Sequence, residues 1–256
     1  MSKRYLQQAK EIIRQGGLPG LTTCVFKKIA SPLRQSLDQL ATKMLYRFYV
    51  NGFHRLFYYT FFTDMAGQNK NIHWFGIPIS KCPFDLWIYQ EMIHQIKPDF
   101  VIETGTDRGG SALFFASILD LIGQGKVITI DVNNYSEKVN HPRITKIIGD
   151  SVSAETFEQV KKIVGGGTVM IVLDSDHRKK HVLREIELYS HFVSVGNYIV
   201  VEDTNINGQP VLPGWGEGPM EAVVAFLKTR KDFEVDRSRE KFMLTFYPKG
   251  FLKRIK

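Results

Sequence analysis

The stretch that most constrains this chain of 256 residues runs from Pro98 to Ser111. Asp99–Ile102 predict a short buried strand that ends on an acid, Glu103. Thr104–Gly110 form a glycine-punctuated turn, and Ala112–Ile122 continue as an apolar helix. A strand feeding a helix N-terminus through a glycine elbow makes a pocket for a nucleotide-like ligand. Glycine suits such an elbow because a Cβ would obstruct close backbone approach. The spacing, Glu103-x-Gly105-x-x-x-Gly109-x-Ser111, is not the G-x-G-x-x-G of dinucleotide sites. An acid ahead of the first glycine repels a pyrophosphate and attracts a cationic amino-acid group. That difference points to S-adenosylmethionine (SAM) rather than NAD.

Downstream of the elbow, strand and helix alternate. Strands are expected over Lys126–Asp131, Arg143–Gly149, Thr168–Asp174 and Asn197–Val201, with helices over Ala154–Val164 and Lys179–Val193. Gln209–Gly218 is a Gly/Pro-rich loop long enough to be a lid, and Pro219 opens a helix reaching about Lys228. Phe233–Val235 and Lys241–Tyr247 are expected to form a terminal hairpin. Five parallel strands and a hairpin predict an α/β fold with a doubly wound, mostly parallel seven-stranded sheet of Rossmann-like type.

The segment ahead of this body differs in character. Residues 1–70 hold 11 of the 34 Lys/Arg and 3 of the 26 Asp/Glu, so the whole net charge of +8 resides there. Residues 1–63 are expected to be helical with a break at 16–20, and 46–62 are crowded with aromatics. The chain therefore divides into a basic, aromatic-rich extension over 1–70 and a catalytic body over 71–256. The aromatics either pack on the body or at a subunit interface of a homo-oligomer, or residues 1–65 touch an anionic membrane as a peripheral contact. Such aromatic density does not suit a phosphate groove, so nucleic acid is not an expected partner. Two cysteines, Cys24 and Cys82, cannot form a disulfide framework. With neither a signal peptide nor an apolar spanning run, the cytoplasm is the expected compartment.

Ligands of such a sheet sit outside the carboxyl ends of its strands, where this chain places Glu103, Asp131, Asp150, Asp174, Glu202 and Asp203. The candidate cofactor-binding residues are Glu103, Thr104, Gly105, Thr106, Gly109 and Ser111 of the elbow, Asp131, and the pair Asp150 and Ser151. Asp131, about 20 residues past the elbow, can accept both ribose hydroxyls. Asp150 and Ser151 are placed to flank the adenine. Asp174, Glu202 and Asp203 would crowd three carboxylates into one cleft, a conflict that Mg²⁺ or another divalent cation resolves. Basic partners are the alternative, with Arg178, Lys179 and Lys180 close by. His177 is a candidate general base for a substrate hydroxyl, or else orients an acid.

In combination, Lys81–Trp87, Glu103–Ser111, Leu173–His177 and Val201–Asp203 resemble the cephalosporin hydroxylase/rhamnosyl O-methyltransferase family. The resemblance covers residues 70–250 and implies the class I methyltransferase fold. It implies a SAM site at Glu103, Gly105 and Asp131 and a Mg²⁺ site at Asp174, Glu202 and Asp203, with Asp176 competing for the place of Asp174. It implies methyl transfer to a hydroxyl of a small molecule, sugar or glycolipid; the candidate catalytic residues read from the chain are Asp174 and His177. An NAD(P)-dependent oxidoreductase and a non-catalytic partner subunit are the competing expectations.

Overall fold

The computed structural model describes residues 37–62 and 72–256. The helices expected over 1–36, and their break at 16–20, lie outside the described residues. The chain divides into two compact units, Met1–Gly52 and Phe53–Lys256. A helix, α1, spans residues 37–57 and passes into a turn of π-helix at Tyr58–Phe62. The division falls ahead of Phe53 because the helix end packs within the second unit. The His54 ring stacks on Phe246 at 5.3 Å, and Tyr58 meets the same ring edge-on at 5.5 Å.

The second unit is built on a seven-stranded sheet. A small hairpin of β1 (His73–Trp74) and β2 (Ile77–Pro78) and helix α2 (Pro83–Ile96) lead into β3 (Phe100–Thr104). Then follow α3 (Gly110–Ile122), β4 (Lys126–Asp131), β5 (Ile144–Ile148), α4 (Ala154–Val164), β6 (Val169–Leu173) and α5 (Lys179–Tyr189). The chain ends with β7 (Tyr198–Val201), α6 (Pro219–Thr229), β8 (Phe233–Val235) and β9 (Phe251–Arg254). The strand order is β5-β4-β3-β6-β7-β9-β8, with β9 antiparallel to both neighbours and the rest parallel. This is the expected mostly parallel α/β sheet. The order reverses between β3 and β6, the switch point where ligands of such sheets bind.

Both faces of the sheet are covered, so its strands read as continuous apolar runs rather than as alternations. The pleat sends alternate residues to opposite faces. Val101, Val127, Met170, Val172 and Val200 pack towards α2 and α3, against Tyr89, Met92 and Phe115. Ile102, Ile128, Ile171, Leu173 and Val201 pack on the other face against Val160, Ile186 and Phe226 of α4, α5 and α6. No described helix is long and apolar enough to cross a membrane.

One element differs from expectation. The last strand is Phe251–Arg254, not Lys241–Tyr247. The alternation of Phe242, Leu244 and Phe246 looks like a strand, and Leu244 and Phe246 are buried. Their backbone bonds go elsewhere, however. The Phe246 N–H donates to the buried Asp85 carboxylate at 2.8 Å, and its carbonyl accepts from Asn205 at 3.2 Å. Met243 has a φ of 68°, which breaks any ladder there. The segment is an internal strap rather than a sheet edge.

Candidate active site

The registers bring the informative strand ends together. Thr104 lies opposite Leu173, and Leu173 lies opposite Val201, so Gly105, Asp174 and Glu202 follow in adjacent rows. The Asp174 N–H donates to the Thr104 carbonyl and the Glu202 N–H to the Leu173 carbonyl, each at 3.0 Å. Gly105, with a φ of +88°, is where the two loops touch. A Cβ there would stand 1.9 Å from the Asp174 carbonyl oxygen. The close approach that demands this glycine is therefore made by the protein's own chain. Gly105→Ala is expected to destabilise the protein by about 3 kcal/mol through steric conflict and positive φ together. A urea midpoint measured beside the wild type checks it.

A cleft of about 470 Å³ opens over these ends, and its walls include Gly105, Asp131, Asp150, Ser151, Asp174 and His181. The Asp131 carboxylate steers the elbow. One oxygen accepts the Thr106 and Asp107 N–H groups at 3.0 and 2.9 Å, and the other accepts Asn133 N–H at 2.9 Å. Ser151 is fixed from beneath, its hydroxyl 2.6 Å from buried Glu185 and 3.1 Å from His181 Nε2. Thr106 and Ser111 line a narrower gap that runs from the elbow to Lys81 and Asp174.

Glu103, Thr104 and Gly109 do not line these spaces. Glu103 is fully buried and accepts the Thr129 hydroxyl at 2.8 Å. Burial lifts its pKa to about 7, against the opposing pull of Lys81 and of bonds from Ser111 and Thr129. Thr104 is also fully buried. Gly109 caps α3 in the left-handed conformation, its missing Cβ leaving room for Val139.

The acidic cluster divides in two, and the residue that divides it is Lys81. This lysine is 2% exposed, and its ammonium pairs with Asp174 Oδ2 at 2.5 Å and Glu202 Oε2 at 2.8 Å. Glu202 also accepts the Tyr89 hydroxyl at 2.6 Å. Proximity along the chain points to Arg178, Lys179 and Lys180 as such partners, and Lys81 is too distant in sequence to be found that way. Arg178 binds Asp176 through both its Nε and its terminal nitrogen, and Lys179 binds Glu217 at 2.8 Å. Asp176 is thereby engaged away from the cluster.

Beyond Lys81, Asp174 meets two further groups. His177 Nε2 lies 3.2 Å from Asp174 Oδ1 and 3.5 Å from Asp203 Oδ2. Ligand atoms of Asp174, His177 and Asp203 all lie within 4.8 Å of one another, close enough to share one cation. Glu202 lies on the far side, with Lys81. Burial would hold His177 down, but the bond from Asp174 and the charge of Asp203 outweigh it and lift its pKa to about 9. Burial lifts Asp203 to about 6, with His177 pulling down and Asp174 pushing up. Asp174 is held below the usual carboxylate range, because Lys81 and His177 together overcome its burial. One ammonium cannot serve two carboxylates equally, so burial and the Asp174 charge drive Glu202 well upward.

The sequence of residues 67–255 matches the family described as rhamnosyl O-methyltransferase/CmcI. The chain belongs to that family. Among its relatives, a rhamnosyl O-methyltransferase of Mycobacterium leprae is 41% identical over 186 residues, covering 70% of this chain and 81% of that protein. The protein of the same name from Mycobacterium tuberculosis is 42% identical over 188 residues, covering 69% and 76%. Two CmcI structures superpose with a TM-score of 0.58. One is an apo form, 21% identical and covering 75% of this chain and 80% of that one. The other carries Mg and SAM, is 20% identical, and covers 75% and 81%. At that identity the likeness speaks for the fold, the class I methyltransferase sheet expected from the sequence.

Proposed function

We propose that this chain transfers the methyl group of SAM to a hydroxyl of a sugar, a rhamnosyl unit of a glycolipid above all, with help from Mg²⁺ or a similar divalent cation. Membership of the family makes the chain a SAM-dependent O-methyltransferase. The observation that carries the finer reading is the pairing of one cleft with two sets of side chains. Asp131, Asp150 and Ser151 line the cleft together with Asp174, and Asp174 is shared with the His177 and Asp203 cluster. The likeness extends to relatives named for rhamnosyl O-methylation and to a CmcI structure holding Mg and SAM.

The residues suit both groups. Asp131 offers its carboxylate to ribose hydroxyls beside the apolar Ile130 and Val132, while Asp150 and Ser151 border the adenine end. The elbow residues Gly105, Thr106 and Ser111 border the amino-acid end. Asp174 and Asp203 are hard oxygen donors for the cation, whereas Glu202, the third carboxylate expected, is paired with Lys81. When bound, the cation neutralises these acids and lowers the pKa of an acceptor hydroxyl. His177 then loses the anions that hold its proton and can accept the hydroxyl proton at Nε2. Trp215, half-exposed on the 209–218 loop with its ring 6.5 Å from that of His177, covers the acceptor side. A homo-oligomer, and peripheral membrane contact through residues 1–65, complete the proposal.

A second reading makes His177 a cation ligand, because its Nε2 lies within reach of both Asp174 and Asp203. Metal titration by calorimetry separates the two. His177→Gln keeps the metal if His177 is the base and loses it if His177 is a ligand. Under either reading, the wild type binds the cation more tightly as pH rises. A proton held by His177 up to about pH 9 opposes a dication, so apparent affinity is expected to grow by up to about tenfold per unit between pH 7 and 9. An affinity flat over that range contradicts the assignment. The direct test of function is transfer of labelled methyl from SAM to a soluble rhamnoside. Removal of divalent cations by EDTA is expected to abolish it, and added Mg²⁺ to restore it.

A further inference from the structure

In the first unit, α1 carries an apolar stripe that faces solvent. Leu37, Leu40, Met44, Leu45 and Phe48 recur at helical spacings of three and four and therefore share one face. Every one of them is more than half exposed, Phe48 at 75% and Met44 at 67%. Five large apolar side chains on one exposed helical face form a patch of the kind that marks an interaction surface. Lys43 and Arg47 border the stripe on one side and Asp38 on the other, and the opposite face carries Gln39, Thr42 and Tyr46. Residues 1–70 contain the entire net positive charge of the chain.

We infer that this stripe of α1 seats the protein on an anionic lipid surface. An amphipathic helix with a basic border lies in the plane of a membrane, its apolar face sunk into the headgroup boundary. Basic residues beside it gain from the negative potential of anionic lipid within a Debye length. Charge selects this occupant, since α1 carries Lys43, Arg47 and Arg55 against Asp38 alone, a net positive charge that a second copy would repel and anionic lipid attracts. The inference rests on the proposal of a glycolipid acceptor, whose lipid would lie in that surface.

The continuation of α1 beyond Phe53, in the second unit, bonds to the loop beside the site. Within the second unit, Arg55 Nε donates to the Pro210 carbonyl at 3.0 Å, and the Tyr59 hydroxyl accepts the Leu212 N–H at 2.8 Å. Asn205 bonds to the buried His54 at 3.0 Å. The start of the acceptor-side loop is thus held by residues that continue the lipid-facing helix.

The test uses the full chain, vesicles of phosphatidylglycerol with phosphatidylcholine, and vesicles of phosphatidylcholine alone. The wild type is expected to sediment with the anionic vesicles and to be released by salt. The double variant Met44→Glu, Phe48→Glu is expected to bind them at least about tenfold more weakly. Its methyl transfer to a soluble rhamnoside should be unchanged, since neither residue belongs to the cofactor or metal set. Failure of the function proposal would show as absent transfer in both proteins, independently of sedimentation. Equal sedimentation of wild type and variant, or none by either, overturns the inference. So does a wild-type dimer that the variant converts to monomer without a change in vesicle binding, because the stripe would then join two copies.

Discussion

Asp174→Asn is expected to lower methyl transfer by roughly 10²–10³-fold while leaving the fold in place, the scale on which removal of one electrostatic contact to a reacting centre acts. The substitution keeps the size of the side chain and removes its charge. Asp174 is the one residue in contact with both halves of the acidic cluster, through Lys81 on one side and His177 on the other. Without that charge the proposed cation site loses one of its carboxylates, and His177 loses the bond that raises its pKa most. Binding of S-adenosylhomocysteine, measured by calorimetry, should change little, because Asp131, Asp150 and Ser151 are untouched. A variant that retains Mg²⁺-dependent transfer near the wild-type rate would remove Asp174 from the mechanism.

Lys81→Met is expected to destabilise the protein by about 3–5 kcal/mol, the cost of leaving buried carboxylates without their partner. Glu202 is 1% exposed, and no other cation is bonded to it among the described residues. The double variant Lys81→Met, Glu202→Gln should recover part of the loss, since it removes one of the stranded charges. Urea unfolding of the wild type, the two single variants and the double variant measures the coupling. A loss below about 1 kcal/mol for Lys81→Met would mean that the ion pair is not formed in solution.

The N-terminal stripe and the internal strap show two ways in which local pattern falls short. Helical spacing marks α1 as amphipathic, but its exposure is a tertiary fact. The 241–247 strap has the alternation of a strand, yet the amide and carbonyl of Phe246 are satisfied by Asp85 and Asn205, which lie far away in sequence. Backbone groups pair with whichever partner the fold brings near, so alternation shows which residues are buried but not with whom the chain pairs.

The sequence by itself determined the parallel sheet, the glycine elbow and the position of acids at the strand ends. Short apolar strands alternating with helices admit few other arrangements, and the switch point then locates the cleft. What only the tertiary structure decided is which way each acid points. Glu103 continues the pleat of Val101, Asp174 that of Val172, and Glu202 that of Val200, so all three stand on the α2/α3 side of the sheet. Lys81, at the start of α2, rises to meet them, 93 residues from Asp174 along the chain. Asp203 escapes this rule because its φ of 51° turns it out of the pleat and towards His177. A period of two is legible in any strand. The distant lysine that makes three like charges tolerable is supplied by folding.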